Sequence, residues 1–91
     1  MKTYPVVLSI AGSDCSGGAG IQADIKTISA LGAYAASVIT AVTVQNTRGV
    51  KAVHIVPAEI VQGQIEAVME DLLGKIMKRG YDISKLVYNR I

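Results

Sequence analysis

Four glycines within nine residues make the segment Gly12–Gly20, GSDCSGGAG, the part of this sequence best suited to binding chemistry. Glycine lets neighbouring backbone N–H groups turn toward one ligand, and the start of a helix adds a partial positive charge. An apolar run precedes the segment and a helical pattern follows it. The pattern predicts a strand–loop–helix site for an anionic or polar small molecule, and a plain flexible connection is the alternative.

Two phosphate-binding motifs nearly fit this loop, and both fail. Gly12 and Gly17 have the spacing of a P-loop, but Gly18 and Ala19 stand where that motif needs Lys and Ser/Thr. The run GAGIQA from Gly18 matches a dinucleotide fingerprint, but no acidic residue occurs between Ile25 and Ala58 to bind a ribose. The sequence therefore predicts neither a P-loop nor a dinucleotide site.

Asp24 is a carboxylate among apolar residues of the predicted first helix. It follows Ile21 by three residues and precedes Ile28 by four and Leu31 by seven, which places it on the face toward the sheet. A carboxylate there is costly unless a partner satisfies it, and a ligand with N–H donors is one such partner. The alternative is a first-turn Asp that the helix dipole favours and whose carboxylate reaches solvent.

Gln45 follows directly after a predicted buried strand. Ligands of open α/β sheets bind at the carboxyl ends of strands, and an amide can donate and accept at one heterocycle edge. Taken alone, the segment Gln45–Gly49, QNTRG, favours ordinary turn chemistry. Cys15 and His54 are the single cysteine and histidine, so we expect a bystander thiol, a strand-face histidine and no metal site.

The distribution of apolar residues predicts the elements that position these residues. Apolar runs predict strands, and apolar residues at three- and four-residue steps predict helices. The expected order is strand Pro5–Ile10, helix Gly20–Leu31, strand Ala33–Val44, strand Val50–Val56 and helix Pro57–Leu72, with a helical extension over Lys75–Arg79 and a short final helix over Asp82–Asn89.

This order predicts an α/β fold with a mostly parallel sheet and flanking helices. Three strands and two helices leave an edge exposed, so we expect the chain to form part of a larger α/β domain.

Composition narrows the function classes. The chain has 91 residues and is 51% hydrophobic, which is typical of a globular protein. Its net charge of +2 is too small to favour nucleic-acid binding. The apolar run near the start is short, no stretch approaches a membrane span, and the single cysteine suits a reducing compartment, so we predict a cytoplasmic protein without a membrane partner. Residues 73–91 carry five basic side chains and one acidic one. We therefore treat them as a divergent basic tail after a first unit, residues 1–72.

The segment IAGSDCSGGAGIQADIKTISALGAYAASVITAVTVQNTRGV resembles the start of the hydroxymethylpyrimidine/hydroxymethylpyrimidine-phosphate kinases of thiamine biosynthesis, which have a ribokinase-like fold. The resemblance covers Val6 to about Leu72 and implies ATP-dependent phosphorylation of an aminopyrimidine and of its monophosphate, with Mg²⁺. It implies that Asp24 and Gln45 bind the pyrimidine edge, and that the pocket wall includes Gly12, Ala19 and Thr43.

The chain departs from that family pattern at two places. Members often have Pro where this chain has Cys15, and they continue after Leu72 with a Lys-x-Gly-Met signature that is missing here. The resemblance places the ATP site and the catalytic residues farther along a longer chain. We therefore expect no catalytic residue here and no kinase activity from these 91 residues alone. We also expect a homo-oligomer, since an exposed sheet edge invites pairing with another chain. A non-catalytic interaction module and a pyridoxal-type vitamin kinase are the alternatives.

Overall fold

A computed structural model describes residues 4–79 and 81–88, with side chains described for residues 5–70. The elements in chain order are strand β1 (Tyr4–Asp14), helix α1 (Gly20–Ala30), strand β2 (Tyr34–Asn46), strand β3 (Gly49–Ile55), helix α2 (Ala58–Arg79) and strand β4 (Tyr81–Tyr88).

Strand β1 lies inside the sheet, between β2 and β4, and is parallel to both. Strand β3 pairs antiparallel with β2, which gives the order β3-β2-β1-β4. The apolar run of β1 suits a parallel strand that is covered on both faces. The predicted α/β fold with a mostly parallel sheet and flanking helices is confirmed.

The two helices cover opposite faces of the sheet. Alternate residues of a strand point to opposite faces, so Leu8 and Ile10 face one way and Ser9 the other. On the first face the apolar stripe of α2 packs against a buried cluster of β1 and β2: Val61, Ile65, Val68 and Met69 against Leu8, Ile10, Ala36 and Val38. On the second face α1 packs against β1 and β2 and buries Ile21 and Ile28, two turns apart.

Three predicted boundaries were wrong. Strand β1 runs to Asp14, four residues past its predicted end at Ile10, because it continues to pair with β2. Strand β2 continues through Gln45 and Asn46, because the chain pairs Gln45 with Val50 and Asn46 with Gly49 across a tight turn. Helix α2 runs to Arg79, past the predicted end at Leu72, so the expected extension over Lys75–Arg79 is part of one helix.

The short final helix expected over 82–89 was also wrong, since strand β4 occupies Tyr81–Tyr88. The segment is rich in residues that favour strands, namely Tyr81, Ile83, Val87 and Tyr88. It pairs with the second edge of β1, whose backbone groups would otherwise lack ladder partners. Residue 89, the last of the predicted helix, lies outside the described residues.

Strand β3 ends the order of the described strands and is exposed along its whole length. Strand β3 and the part of β2 that pairs with it form the β2–β3 hairpin. Its large exposed hydrophobic residues are Val42, Val44, Val50, Val53 and Ile55. Neither described helix combines the length and the apolar character needed to cross a lipid bilayer.

Candidate functional site at the end of strand β1

The loop between β1 and α1 requires glycine at the start of the helix. Gly20 has a φ of +58°, and a Cβ there would lie 2.3 Å from the carbonyl oxygen of Gly12. Any side chain would therefore collide with the backbone of β1. Gly12 is itself buried, so the end of β1 and the first turn of α1 are in close contact.

The Asp14 carboxylate fills the concave backbone of this loop. Its Oδ1 accepts hydrogen bonds from the Ser16 hydroxyl at 2.6 Å and the Ser16 N–H at 2.9 Å. Its Oδ2 accepts from the N–H groups of Gly18 at 3.0 Å and Ala19 at 2.8 Å. Asp14 is only 3% exposed and takes the place of a side-chain cap, which residue Ala19 does not supply.

This contact occupies backbone N–H groups that the sequence interpretation assigned to an anionic or polar small molecule, and ligand binding at the loop stays a prediction. The N–H groups of Ser16, Gly18 and Ala19 already serve the chain's own carboxylate. The Ser16 hydroxyl, and then the backbone N–H groups of Ser16, Ala19 and Gly18, hold the pKa of Asp14 below its ordinary value of 3.8, against the opposing effect of burial. The Asp14 carboxylate therefore satisfies these backbone N–H groups within the chain itself.

Gln22 fastens the first turn of α1 to the end of β1. Its side-chain oxygen accepts the Asp14 N–H at 2.8 Å, and its Nε2 donates to the Ser13 hydroxyl at 2.7 Å. Both ends of the amide are satisfied, so its orientation is determined. The contact fixes Ser13 at the point where β1 meets the loop.

Thr43 on the neighbouring strand contacts both Ser13 and Gln45. Thr43 is 2% exposed, and its Oγ1 lies 2.6 Å from the Ser13 carbonyl oxygen and 2.9 Å from the Gln45 side-chain oxygen. The strand register shifts between Ala11 and Ser13 and again between Val44 and Gln45. Such irregularities re-aim side chains and are common beside binding sites.

Cys15 also contacts Gln45, which the interpretation as a bystander did not anticipate. Its Sγ donates to the Gln45 carbonyl at 3.1 Å and accepts the Gln45 N–H at 3.3 Å. The loop thus holds the backbone of Gln45, while Thr43 contacts its side chain.

Asp24 faces the sheet, as the spacing of α1 predicts. Its carboxylate accepts a hydrogen bond from the hydroxyl of Ser9, a residue with no exposed surface. Ser9 precedes Ser13 by four residues, or roughly 13 Å of extended strand. Asp24 therefore lies over the middle of β1, whereas Thr43 and Gln45 lie together near its end.

The predicted site residues all lie in β1, α1, β2 or the loop between β1 and α1. Thr43 and Gln45 are in contact, Gly12 packs against the start of α1, and the Ala19 N–H binds Asp14. The sequence interpretation missed Ser9, Ser13, Asp14 and Gln22. Only Asp14 carried a local signal, since Asp followed two residues later by Ser favours an Asx turn.

The described residues contain neither a cluster of metal-binding side chains nor the residues of a P-loop. Within residues 5–70 no three His, Cys, Asp or Glu side chains come together as a cation site. The backbone cradle holds Asp14, and Gly18 and Ala19 replace the Lys and Ser/Thr of a P-loop. Placement of the ATP and Mg²⁺ sites on another part of a longer chain stays a prediction.

The described residues form an open α/β sheet with a glycine-rich loop leading into α1, and similarity to solved kinase structures identifies the fold as ribokinase-like. The structure is similar to a crystal structure of phosphomethylpyrimidine kinase from Clostridium difficile 630, with TM-score 0.73 and 43% identity over 94% of this chain and 48% of that chain. It is also similar to pyridoxal kinase from Staphylococcus aureus in complex with AMP-PCP, with TM-score 0.70 and 25% identity over 94% of this chain and 38% of that one.

The family model described as phosphomethylpyrimidine kinase matches residues 14–89, and this chain belongs to that family. A hydroxymethylpyrimidine/phosphomethylpyrimidine kinase of Rhizobium meliloti is 67% identical over 75 residues, which are 82% of this chain and 28% of that protein. A probable chloroplastic thiamine biosynthetic bifunctional enzyme of Oryza sativa is 54% identical over 85% of this chain and 14% of its own length.

The chain thus spans less than a third of these two curated relatives. The family match runs across residue 72, and the division into a first unit and a divergent tail stays a prediction.

Proposed function

We propose that this chain is the substrate-binding, amino-terminal part of a kinase that phosphorylates 4-amino-5-hydroxymethyl-2-methylpyrimidine and its monophosphate with ATP. The family match and the name of the Rhizobium meliloti relative support this substrate class. The observation that carries the proposal is the Gln45 side chain, which the buried Thr43 contacts at the end of β1.

The proposed task of these residues is to bind and orient the pyrimidine. Gln45 is half-buried and carries an amide that can both donate and accept, as an aminopyrimidine edge requires. Asp24 is half-buried on the sheet side of α1, where its carboxylate accepts the Ser9 hydroxyl, and a carboxylate of this kind can also accept an N–H of a ligand. Gly12, Ala19 and Thr43 form the proposed wall of the pocket.

Calorimetric titration of the 91-residue chain with the hydroxymethylpyrimidine tests this assignment. Asp24→Asn should weaken binding by roughly 10-fold, the effect of losing one hydrogen bond to a buried polar partner. Gln45→Ala removes both a donor and an acceptor and should weaken binding by at least about 10-fold. Gln62→Ala is the matched control, because Gln62 is exposed on α2 and bonds only Glu66 among the described contacts. Binding that both site variants leave unchanged contradicts the proposal.

A pyridoxal-type substrate is the second candidate, because the fold is shared with pyridoxal kinase of Staphylococcus aureus at TM-score 0.70. The fold is also similar, at 41% identity, to a structure described as the last common ancestor of two groups of vitamin kinases. Titration with pyridoxal under the same conditions distinguishes the two, and stronger binding of pyridoxal than of the pyrimidine favours the second candidate.

The non-catalytic alternative rests on the exposed β2–β3 hairpin, which offers a strand edge, unpaired among the described residues, to a second copy or to another chain. The cytoplasmic location stays a prediction, since the rice relative is chloroplastic. Phosphoryl transfer depends on positioning and on charge stabilisation by groups that the described residues lack. We therefore propose that the 91-residue chain alone does not turn over ATP, and steady ATP hydrolysis coupled to product formation contradicts this.

A further inference from the structure

The Thr43 hydroxyl has one proton and two neighbours that accept. Its Oγ1 lies 2.6 Å from the Ser13 carbonyl oxygen and 2.9 Å from the Gln45 side-chain oxygen. A hydroxyl donates only once, so one of these two oxygens receives no proton from Thr43. The contact with the Ser13 carbonyl is the shorter of the two, so we assign the Thr43 proton to that hydrogen bond.

The Ser13 carbonyl is held in place independently of Thr43. Gln22 anchors Ser13 through its hydroxyl, and the same amide accepts the N–H of Asp14. The pairing of β1 with β2 sets Ser13 beside Val42, one residue from Thr43. Ser13 is therefore a fixed acceptor, and the Thr43 proton has a fixed direction.

With its proton on Ser13, the Thr43 oxygen can only accept. An amide oxygen 2.9 Å away would then face it with no proton between the two atoms, which is repulsive. A half-turn of the Gln45 amide replaces this oxygen with Nε2, which donates to Thr43, and it satisfies all three groups. Oxygen and nitrogen occupy interchangeable positions in an amide, so the turn needs no other movement.

We propose that Thr43 is a positioning residue that holds the Gln45 amide with Nε2 toward Thr43 and Oε1 toward the ligand, so that the site selects an aminopyrimidine edge. Gln45 then offers Oε1 as acceptor and its second Nε2 proton as donor, side by side. An amino group beside a ring nitrogen is the complementary pattern, as in the pairing of Gln with adenine. This inference rests on the proposed function, because it specifies how the same site selects its substrate.

A pair of ligands tests the orientation. The 4-amino compound presents a donor beside a ring acceptor, whereas its 4-oxo counterpart presents an acceptor beside a ring N–H. The wild-type chain should bind the amino compound roughly 10- to 100-fold more tightly than the oxo compound. In Thr43→Val the amide can turn either way, and we expect this ratio to fall at least about fivefold, whereas Thr43→Ser keeps the hydroxyl and the ratio.

The outcomes separate the two proposals. Wild-type chain that binds neither compound overturns the proposed function and this inference with it. Wild-type chain that binds the amino compound, with an amino-to-oxo ratio that Thr43→Val leaves unchanged, overturns only the role of Thr43. If Thr43 had a purely structural role, Thr43→Val would weaken the binding of both ligands equally, and the amino-to-oxo affinity ratio would stay constant.

A measurement without ligand covers the case in which Thr43→Val does not fold. The side-chain ¹⁵N–¹H pair of Gln45 can be assigned by its loss in Gln45→Ala. In the wild-type chain and in Thr43→Ser, the Nε2 proton that faces Thr43 should exchange with water several-fold more slowly than its partner. Equal exchange of the two protons in both proteins overturns the proposed orientation.

Discussion

The Asp14 carboxylate accepts the backbone N–H of Ala19 at 2.8 Å and so closes the glycine-rich loop onto the first turn of α1. The same carboxylate receives the N–H groups of Ser16 and Gly18, so the chain itself supplies the anion that a helix start attracts. These backbone N–H groups of the loop therefore already have an anionic partner within the chain.

Asp14 should give the chain a specific acid sensitivity. Its pKa is lowered in the folded state, chiefly by the Ser16 hydroxyl, from the ordinary value of 3.8. A carboxyl with a depressed pKa contributes stability above its unfolded pKa and loses it as the pH falls through the folded pKa. We expect Asp14→Asn to lower the Tm at pH 6 and to reduce the fall in Tm below pH 3.8. Thermal unfolding followed by circular dichroism from pH 6 to strongly acidic pH checks this, and parallel curves for the two proteins contradict it.

Gly20→Ala should be among the most destabilising small substitutions in the chain. The new Cβ would lie 2.3 Å from the Gly12 carbonyl oxygen, at a φ of +58° that disfavours side chains. We expect a loss of at least about 3 kcal/mol in the free energy of unfolding, measured by urea denaturation.

Gly63→Ala is the matched control for that prediction. Gly63 lies in helix α2, and a Cβ there meets no atom within 4 Å. Alanine should stabilise the helix by roughly 0.5–1 kcal/mol. Equal and small effects of the two substitutions would show that the close contact between Gly12 and Gly20 does not constrain the loop.

Gln64 joins α2 to the backbone of β2. Its side-chain oxygen accepts the Ile39 N–H and its Nε2 donates to the Ile39 carbonyl, each at 2.9 Å. Gln64→Ala leaves both half-buried backbone groups without this partner, so we expect a loss of about 1–3 kcal/mol. Gln62→Ala, on the exposed side of the same helix, should change stability by less than about 0.5 kcal/mol. Chemical denaturation of both variants measures the difference, and similar losses would contradict the bridging role of Gln64.

The sequence was sufficient for the central elements because their signals are local. The apolar run of β1 and the spacing from Ile21 to Ile28 depend on neighbouring residues only. Helix α1 formed where expected, and β1 formed over its predicted residues but continued to Asp14. The inward position of Asp24 followed from the same spacing. Its partner Ser9, fifteen residues away, could not be chosen without the packing of α1 on β1.

Non-local pairing explains what the sequence did not predict. Strand β4 pairs with β1, which lies more than seventy residues earlier in the chain, and no local sequence pattern indicates this pairing. The polar segment at Gln45 resembles a turn, but the antiparallel pairing with β3 keeps it extended. The network from Gln22 through Ser13 to Thr43 depends on three separate elements meeting, which spacing alone cannot show.

Self-association through the hairpin is the prediction that bears on the expected homo-oligomer. Strand β3 is exposed throughout and ends the order of the described strands, and Ile55 within it is 68% exposed. Exposed apolar edge strands pair with other chains, whereas a charged side chain discourages such pairing. Sedimentation velocity should therefore show a mean mass that rises with concentration for the wild-type chain and rises less for Ile55→Lys. Ile60→Lys controls for added charge, since Ile60 is 53% exposed and belongs to helix α2, not to the edge strand. Equal association of all three proteins would exclude the β3 edge as the contact.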